Sequence, residues 1–191
     1  MEADWEVEVG GGATVPAAPV IEALWPRFVD LRTIPKRAWQ LPEAVQLPAM
    51  AETLIRLNAV ASPVWTSKCD FWPEVTPGEF DPDELDAPPG SATHAAACYI
   101  DLLPRGHHQW HTPAQAADWC KGLCSGMRTV PLRCCRVDLV VRQALISPGR
   151  MDLGITAYLT ACGPSPAEAK AGLKNALAAF ADALCGHSTL Q

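Results

Sequence analysis

The stretch from residue 132 to residue 163 contains two long runs of alternating apolar and polar residues, separated by Ser147-Pro148-Gly149. The alternation repeats every second residue, which is the period of a β-strand with one buried face. Pro148 presets φ and Gly149 tolerates a positive φ, so the separating residues suit a tight turn. The stretch therefore predicts a long β-hairpin, and the rest of the chain has to cover its apolar face.

The remaining sequence alternates predicted strands and helices. Two helix starts are marked by the same capping pattern, Thr112-Pro113-Ala114-Gln115 and Ser165-Pro166-Ala167-Glu168. Further strands are expected at 5–9, 64–72 and 93–103, and helices at 20–31, 49–60, 112–127 and 165–184. This order contains a β-α-β-β-α-β run, which is typical of ferredoxin-like α+β folds. We predict a two-layer α+β sandwich with an antiparallel-rich sheet, helices on one face, a ferredoxin-like core, an extra strand and a C-terminal helix.

Composition limits the classes of protein that fit. The chain has 191 residues, 49% of them apolar, which suits a single domain over residues 1–187 with a tail at 188–191. Residues 73–91 are acidic and rich in proline, so we expect a solvated loop there. The net charge of −6 argues against non-specific binding of nucleic acid or of an anionic membrane.

The sequence also indicates where in the cell the protein is expected. The first nine residues, MEADWEVEV, lack the basic and apolar regions of a signal peptide, and no apolar run approaches the roughly 20 residues that span a bilayer. We therefore expect a cytoplasmic protein. The eight cysteines are then expected to be reduced, mostly as small apolar residues of the core.

The polar side of the alternating strands is the main candidate site. If helices cover only the apolar side, the opposite face of the sheet presents charges of both signs and two aromatic rings. The candidate binding residues are Lys68, Asp70, Tyr99, Asp101, Arg136, Asp138, Arg142 and Tyr158. The leading hypothesis is a binding or interaction module without enzymatic activity. It uses this open face, with a second copy of the chain, as a homodimer, or another protein as its partner.

Other interpretations of the same face stay open. The charges would also suit simple cross-strand ion pairing on a hydrated sheet. Asp70, Asp101 and Asp138 would hold a divalent cation if the strand order brought them together, which would suit a metal-dependent hydrolase or another small-molecule enzyme. The arginines would hold an anionic small molecule. Two tyrosines on this face would stack on bases, which favours nucleic-acid binding. The acidic charge of the chain argues against it, so nucleic acid is not expected as a partner.

A zinc site is the remaining alternative. Its candidate ligands are His107, His108, His111, Cys120 and Cys124. Imidazole and thiolate groups suit zinc, and cysteines four residues apart share a helix face. Cys120, however, also fits the apolar stripe of the predicted helix. We therefore predict no metal and no cofactor, and we find no sequence motif for nucleophilic catalysis.

Overall fold

The computed structural model describes residues 1–9, 19–26, 28–76, 78–106 and 110–186. The strands are β1 (Glu2–Glu8), β2 (Ile21–Glu22), β3 (Val64–Val75), β4 (His94–Pro104), β5 (Cys135–Ser147) and β6 (Arg150–Gly163). The α-helices are α1 (Pro42–Gln46), α2 (Pro48–Leu57), α3 (Pro113–Met127) and α4 (Pro166–Gly186). Short 3-10 helices cover Pro35–Gln40 and Asp83–Leu85. The α+β class expected from the sequence is confirmed, and the predicted tail lies outside the described residues.

The six strands form one sheet in the order β1-β5-β6-β4-β3, with β2 also paired to β5. The short strands β1 and β2 run parallel to β5, and the other neighbours are antiparallel. β6 is not part of the β-α-β-β-α-β run, yet it lies between β5 and β4, and β1 lies at an edge. The ferredoxin-like order expected from the sequence is therefore not confirmed. Alternation within a strand indicates which side is buried but does not determine which strands are neighbours.

The predicted hairpin of β5 and β6 occupies the middle of this sheet. Its register runs from Cys135 opposite Ala161 to Ser147 opposite Arg150. Gly149 in the turn has a φ of 75°, which a side chain would disfavour. The apolar residues predicted on one side of the hairpin are almost all buried there. They include Val137, Leu139, Val141, Ile155, Ala157 and Leu159.

The helices cover that apolar side of the sheet, which we call the inner face. α4 places Leu173, Leu177 and Phe180 in the core, where all three are fully buried. Burial of each such side chain contributes roughly 1.5–3 kcal/mol. A Cβ added to Gly172 would lie 3.1 Å from the Ala161 side chain, so this glycine allows α4 to approach β6 closely. Of the helices described, none has the length and apolar character needed to cross a membrane.

Residues 20–31 do not form the expected helix. Pro26 cannot donate a helix hydrogen bond, and the preceding residues pair with β5 as β2 instead. Ile21 and Ala23 then pack on the other side of the sheet, the outer face, against Trp65 and Leu103. Uninterrupted alternation along β3 would place Trp65 on the inner face with Cys69 and Phe71. A β-bulge between Thr66 and Cys69 shifts the alternation by one residue and turns Trp65 outward.

The acidic stretch from residue 73 to residue 91 is more ordered than its composition predicts. β3 extends to Val75, and a 3-10 helix covers Asp83–Leu85. Leu85 and Ala87 are buried against Ala95 and Cys162 on the outer face. We call residues 78–91 the acidic loop. Two chain segments therefore cover the two ends of the outer face, and the middle of that face stays open between them.

Candidate functional site

The open middle of the outer face is built from one row of side chains across four strands. Asp138 of β5 lies opposite Tyr158 of β6, Tyr158 lies opposite Tyr99 of β4, and Tyr99 lies opposite Asp70 of β3. Asp101 lies on the same face, two residues further along β4. These five residues were all predicted to share this face, and the register is consistent with that placement.

Aromatic rings form a continuous line over this row. The ring centroids of Trp72 and Tyr99 are 5.8 Å apart, and those of Tyr99 and Tyr158 are 6.0 Å apart. The Arg142 guanidinium carbon lies 5.7 Å from the Tyr158 centroid and ends the line. Burial and the nearby Asp101 raise the pKa of Tyr99 to about 12, so its phenol is neutral at physiological pH. Trp72, which is not among the predicted binding residues, lies at the other end of the line and is 40% exposed.

The carboxyl group of Asp101 is the buried centre of the face. The residue is only 5% exposed, and the Thr156 hydroxyl donates a 2.7 Å hydrogen bond to its Oδ1. Burial raises the pKa of Asp101, whereas this hydrogen bond and the positive charges of Lys68 and Arg142 act to lower it. The net direction is upward, because burial outweighs the three stabilising contacts.

Both predicted arginines are engaged by neighbours in the sheet. The Arg142 guanidinium lies 3.0 Å from the Glu8 carboxylate on β1 and donates a 3.0 Å hydrogen bond to the Tyr158 hydroxyl. Arg136 donates from Nε to both carboxylate oxygens of Asp138, at 2.8 and 3.0 Å. These contacts match the ion-pairing interpretation of the polar face, so neither arginine presents an unpaired charge to a partner.

Lys68 lies on the edge strand, apart from the tyrosine pair. Its ammonium nitrogen is 3.5 Å from the Glu22 carboxylate and 5.7 Å from the Trp25 ring centroid. It lines a cavity of about 360 Å³ between β3 and the segment that precedes α1. The predicted set of binding residues is therefore divided between the open row and this neighbouring cavity.

The three carboxylates considered as metal ligands do not converge. β6 and β4 lie between Asp138 and Asp70, and three strand spacings amount to about 14 Å. Asp101 is hydrogen-bonded to Thr156 rather than shared with either. Within the described part of the chain, no three His, Cys, Asp or Glu side chains are grouped closely enough to hold a metal ion.

The zinc candidates are also dispersed. Cys120 and Cys124 are buried on the core side of α3, where burial raises their pKa to about 12 and about 11. The Cys124 thiol donates to the Asp4 carbonyl oxygen at 3.3 Å. His111 is exposed before the helix, where its backbone N–H donates to the side chain of Gln115. His107 and His108 lie outside the described residues.

A cavity of about 480 Å³ opens between the acidic loop and the end of the aromatic line. Trp72 and Phe80 form its aromatic walls, and Arg136 is its cationic side chain. Five carboxylates line the rest of it, those of Glu74, Glu79, Asp81, Glu84 and Asp138. The sequence does not predict this cavity, because the average composition of residues 73–91 indicates a solvated loop. The apolar residues Phe80 and Leu85 among the acids were the available signal.

No protein-family model matches the sequence, and neither the curated proteins nor the solved structures contain a significant match. The function of the chain therefore has to be inferred from the geometry of the outer face.

Proposed function

We propose that this chain is a non-enzymatic binding module whose ligand is an organic cation held on the outer face of the sheet. One observation carries the proposal. The 480 Å³ cavity combines five carboxylates with the exposed indole of Trp72 and the ring of Phe80. Ligand sites in proteins are typically concave, with apolar walls and a few polar groups that orient the ligand.

The charge balance of the cavity favours a positive ligand. Its cationic side chain, Arg136, is already paired with Asp138 and lies 3.7 Å from a Glu84 oxygen. The remaining carboxylates therefore produce a negative potential that a bound cation would neutralise. An ammonium or guanidinium group over the Trp72 face would gain a further attraction from the ring. A polyamine or a lysine side chain has this combination of charge and apolar chain.

The competing hydrolase hypothesis is supported less well. It requires Asp70, Asp101 and Asp138 to surround one metal ion, and two intervening strands hold Asp70 and Asp138 apart. The zinc hypothesis requires Cys120 and Cys124 to leave the core side of α3. The binding module needs no such rearrangement, because its cavity is already formed.

We also propose a cytoplasmic location. All eight cysteines are free thiols, and a reducing compartment would keep them in that state. The expected homodimer is kept as a competing occupant of the same face. A second copy would have to cover Trp72 and Tyr99, and it would double the mass of the particle in solution.

The test uses spermidine as the probe and titration calorimetry with the full chain. We expect saturable binding that Trp72→Ala weakens at least tenfold and Glu74→Gln with Glu84→Gln weakens further. Trp39→Ala is the matched control, because Trp39 is similarly exposed, at 47%, but lies in the Pro35–Gln40 helix away from the cavity. Equal affinity in the Trp72 and Trp39 variants would contradict the proposal. A stable dimer that does not bind spermidine would indicate instead that this face mediates self-association.

A further inference from the structure

Cys134 and Cys162 lie side by side at the covered end of the outer face. Cys135 is paired with Ala161 across β5 and β6, so Cys134 and Cys162 form the next pair along the hairpin. The backbone N–H of Cys162 donates to the Cys134 carbonyl oxygen at 2.9 Å. Both side chains contact the same apolar cluster beneath the acidic loop. Burial and the neighbouring Cys134 thiol both raise the pKa of Cys162.

This placement suits a covalent bond between the sulfurs. Directly opposite residues of antiparallel strands have Cα atoms about 4.5–5.5 Å apart. Disulfide-linked cysteines have Cα atoms roughly 4.4–6.8 Å apart. The neighbouring Cys135 does not compete for Cys162, because it is buried on the inner face with its sulfur 3.6 Å from the Gly172 carbonyl oxygen.

The backbone at Cys134 is unusual and is tied to the acidic loop. Cys134 has a φ of 59°, a left-handed conformation that is uncommon for a residue with a side chain. Asp86 in the acidic loop shares this feature, with a φ of 54°. The Arg133 guanidinium Nε lies 3.1 Å from an Asp86 carboxylate oxygen and joins the two segments. Unusual backbone of this kind concentrates at functional sites.

We propose that Cys134 and Cys162 are a peroxide-oxidisable thiol pair. The Cys134 thiolate attacks one oxygen of hydrogen peroxide, the O–O bond breaks, and the second oxygen leaves as hydroxide, which takes up a proton to become water. The Cys162 sulfur then attacks the resulting sulfenic acid, a disulfide forms, and a second water leaves. Peroxide is reduced by two electrons, and the two thiols supply them.

The surroundings assign a role to each sulfur. Cys134 is partly exposed, so peroxide reaches it from solvent. Cys162 is buried, and its pKa is raised to about 12 by burial and by the neighbouring thiols, so it is poorly suited to react first. It is well placed to resolve the sulfenic acid beside it. Disulfides of reducing compartments are usually transient and redox-sensing, which agrees with this assignment.

The disulfide would form directly beneath the acidic loop. Phe80 and Leu85 contact the cluster that contains both cysteines, and the same two side chains line the 480 Å³ cavity. Oxidation would therefore change the packing under that cavity. The thiol chemistry itself does not rest on the proposed ligand, and its test contains no ligand.

The experiment is peptide mapping of the full chain after peroxide treatment and thiol alkylation, without reduction. Trypsin releases Cys134 and Cys135 within residues 134–136, and it releases Cys162 as the single cysteine of residues 151–170. We expect these two peptides to appear joined, with the mass of two hydrogen atoms missing. Dithiothreitol should separate them.

Three variants make the assignment specific. Cys134→Ser should abolish the joined peptide, Cys135→Ala should retain it, and Cys185→Ser serves as a matched control with a partly buried thiol elsewhere. Circular dichroism on each variant shows that it is folded. A joined peptide that persists in folded Cys134→Ser would overturn the proposal. So would peroxide treatment of the folded parent that yields only sulfonic acid, only disulfides between chains, or no change.

Discussion

The Thr156 hydroxyl donates a 2.7 Å hydrogen bond to Asp101 on the neighbouring strand, and both residues are buried on the polar face of the sheet. This pair differs from the rest of the open row, in which side chains remain in contact with solvent. Burial raises the pKa of Asp101, because the hydrogen bond only partly compensates the lost hydration of the carboxylate. The pair therefore makes the stability of the fold depend on pH.

Asp101→Asn is expected to raise the free energy of unfolding at neutral pH by on the order of 1 kcal/mol, because it removes a desolvated charge. The folded-state pKa of Asp101 lies above its unfolded value, so the folded state binds the proton more tightly. Relative to the variant, the parent is therefore most stable at pH values below the pKa that Asp101 has in the unfolded chain. This relative stability is lost as the pH rises through the pKa that Asp101 has in the folded state.

Urea unfolding of both proteins between acid and neutral pH measures this difference. Asp182→Asn is the control, because Asp182 is exposed on α4. If the difference in the free energy of unfolding between the parent and Asp101→Asn stayed constant with pH, titration of the buried Asp101 would not be its cause.

Thr156→Val should destabilise the fold by about 1.5–3 kcal/mol at neutral pH, because it leaves the buried Asp101 carboxylate without its donor. It should cost clearly less when Asp101 is already Asn, since the remaining partner is then uncharged. A double-mutant cycle by urea unfolding isolates this coupling. Thr160→Val on the same face of β6 is the control. Additive effects of the Thr156 and Asp101 changes would argue against the coupling.

Local patterns predicted much of the fold. The hairpin of β5 and β6 and the start of α3 follow from short-range rules, and the capping box of Thr112 and Gln115 forms as expected. The order of the strands did not follow, because pairing is decided by packing between residues far apart in sequence. Trp65 was placed on the wrong face because one extra residue in a β-bulge reverses the alternation.

The site was predicted only in part, for a related reason. The polar row of Asp70, Tyr99, Tyr158 and Asp138 follows from alternation alone. The cavity depends on the acidic loop, whose average composition indicates solvation although Leu85 is only 3% exposed. A few apolar residues determine where such a loop packs, and the average composition of the loop does not show their contribution.

Gly154→Ala should destabilise the protein by about 1–3 kcal/mol, which is typical of overpacking. The added Cβ would lie 2.8 Å from Ile21 Cδ1 and 3.1 Å from the Leu102 carbonyl oxygen. Gly122→Ala is the matched change in α3, where no atom lies within 4 Å of the new Cβ. Because alanine is the better helix former, that variant should be more stable by about 0.5–1 kcal/mol. Thermal unfolding compares the two. Equal effects would mean that the Ile21 side chain does not pack against Gly154.

The affinity for spermidine should fall as pH is lowered, and protonation of Asp138 should contribute to this fall at a higher pH than is usual for an aspartate. Burial raises the pKa of Asp138, although the hydrogen bond and charge of Arg136 partly oppose this. Protonation would remove one negative charge from the cavity and would leave the Arg136 charge less well compensated.

Calorimetric titrations at several pH values follow this change. Asp138→Asn should bind spermidine more weakly than the parent, and it should lack the part of the fall that protonation of Asp138 causes. Salt gives a second measure, because the Debye length shrinks to about 3 Å near 1 M and an attraction between charges then weakens. Asp118→Asn on α3 controls for net charge. Spermidine binding that is indifferent to both salt and the Asp138 change would mean that the carboxylates of the cavity do not attract the ligand.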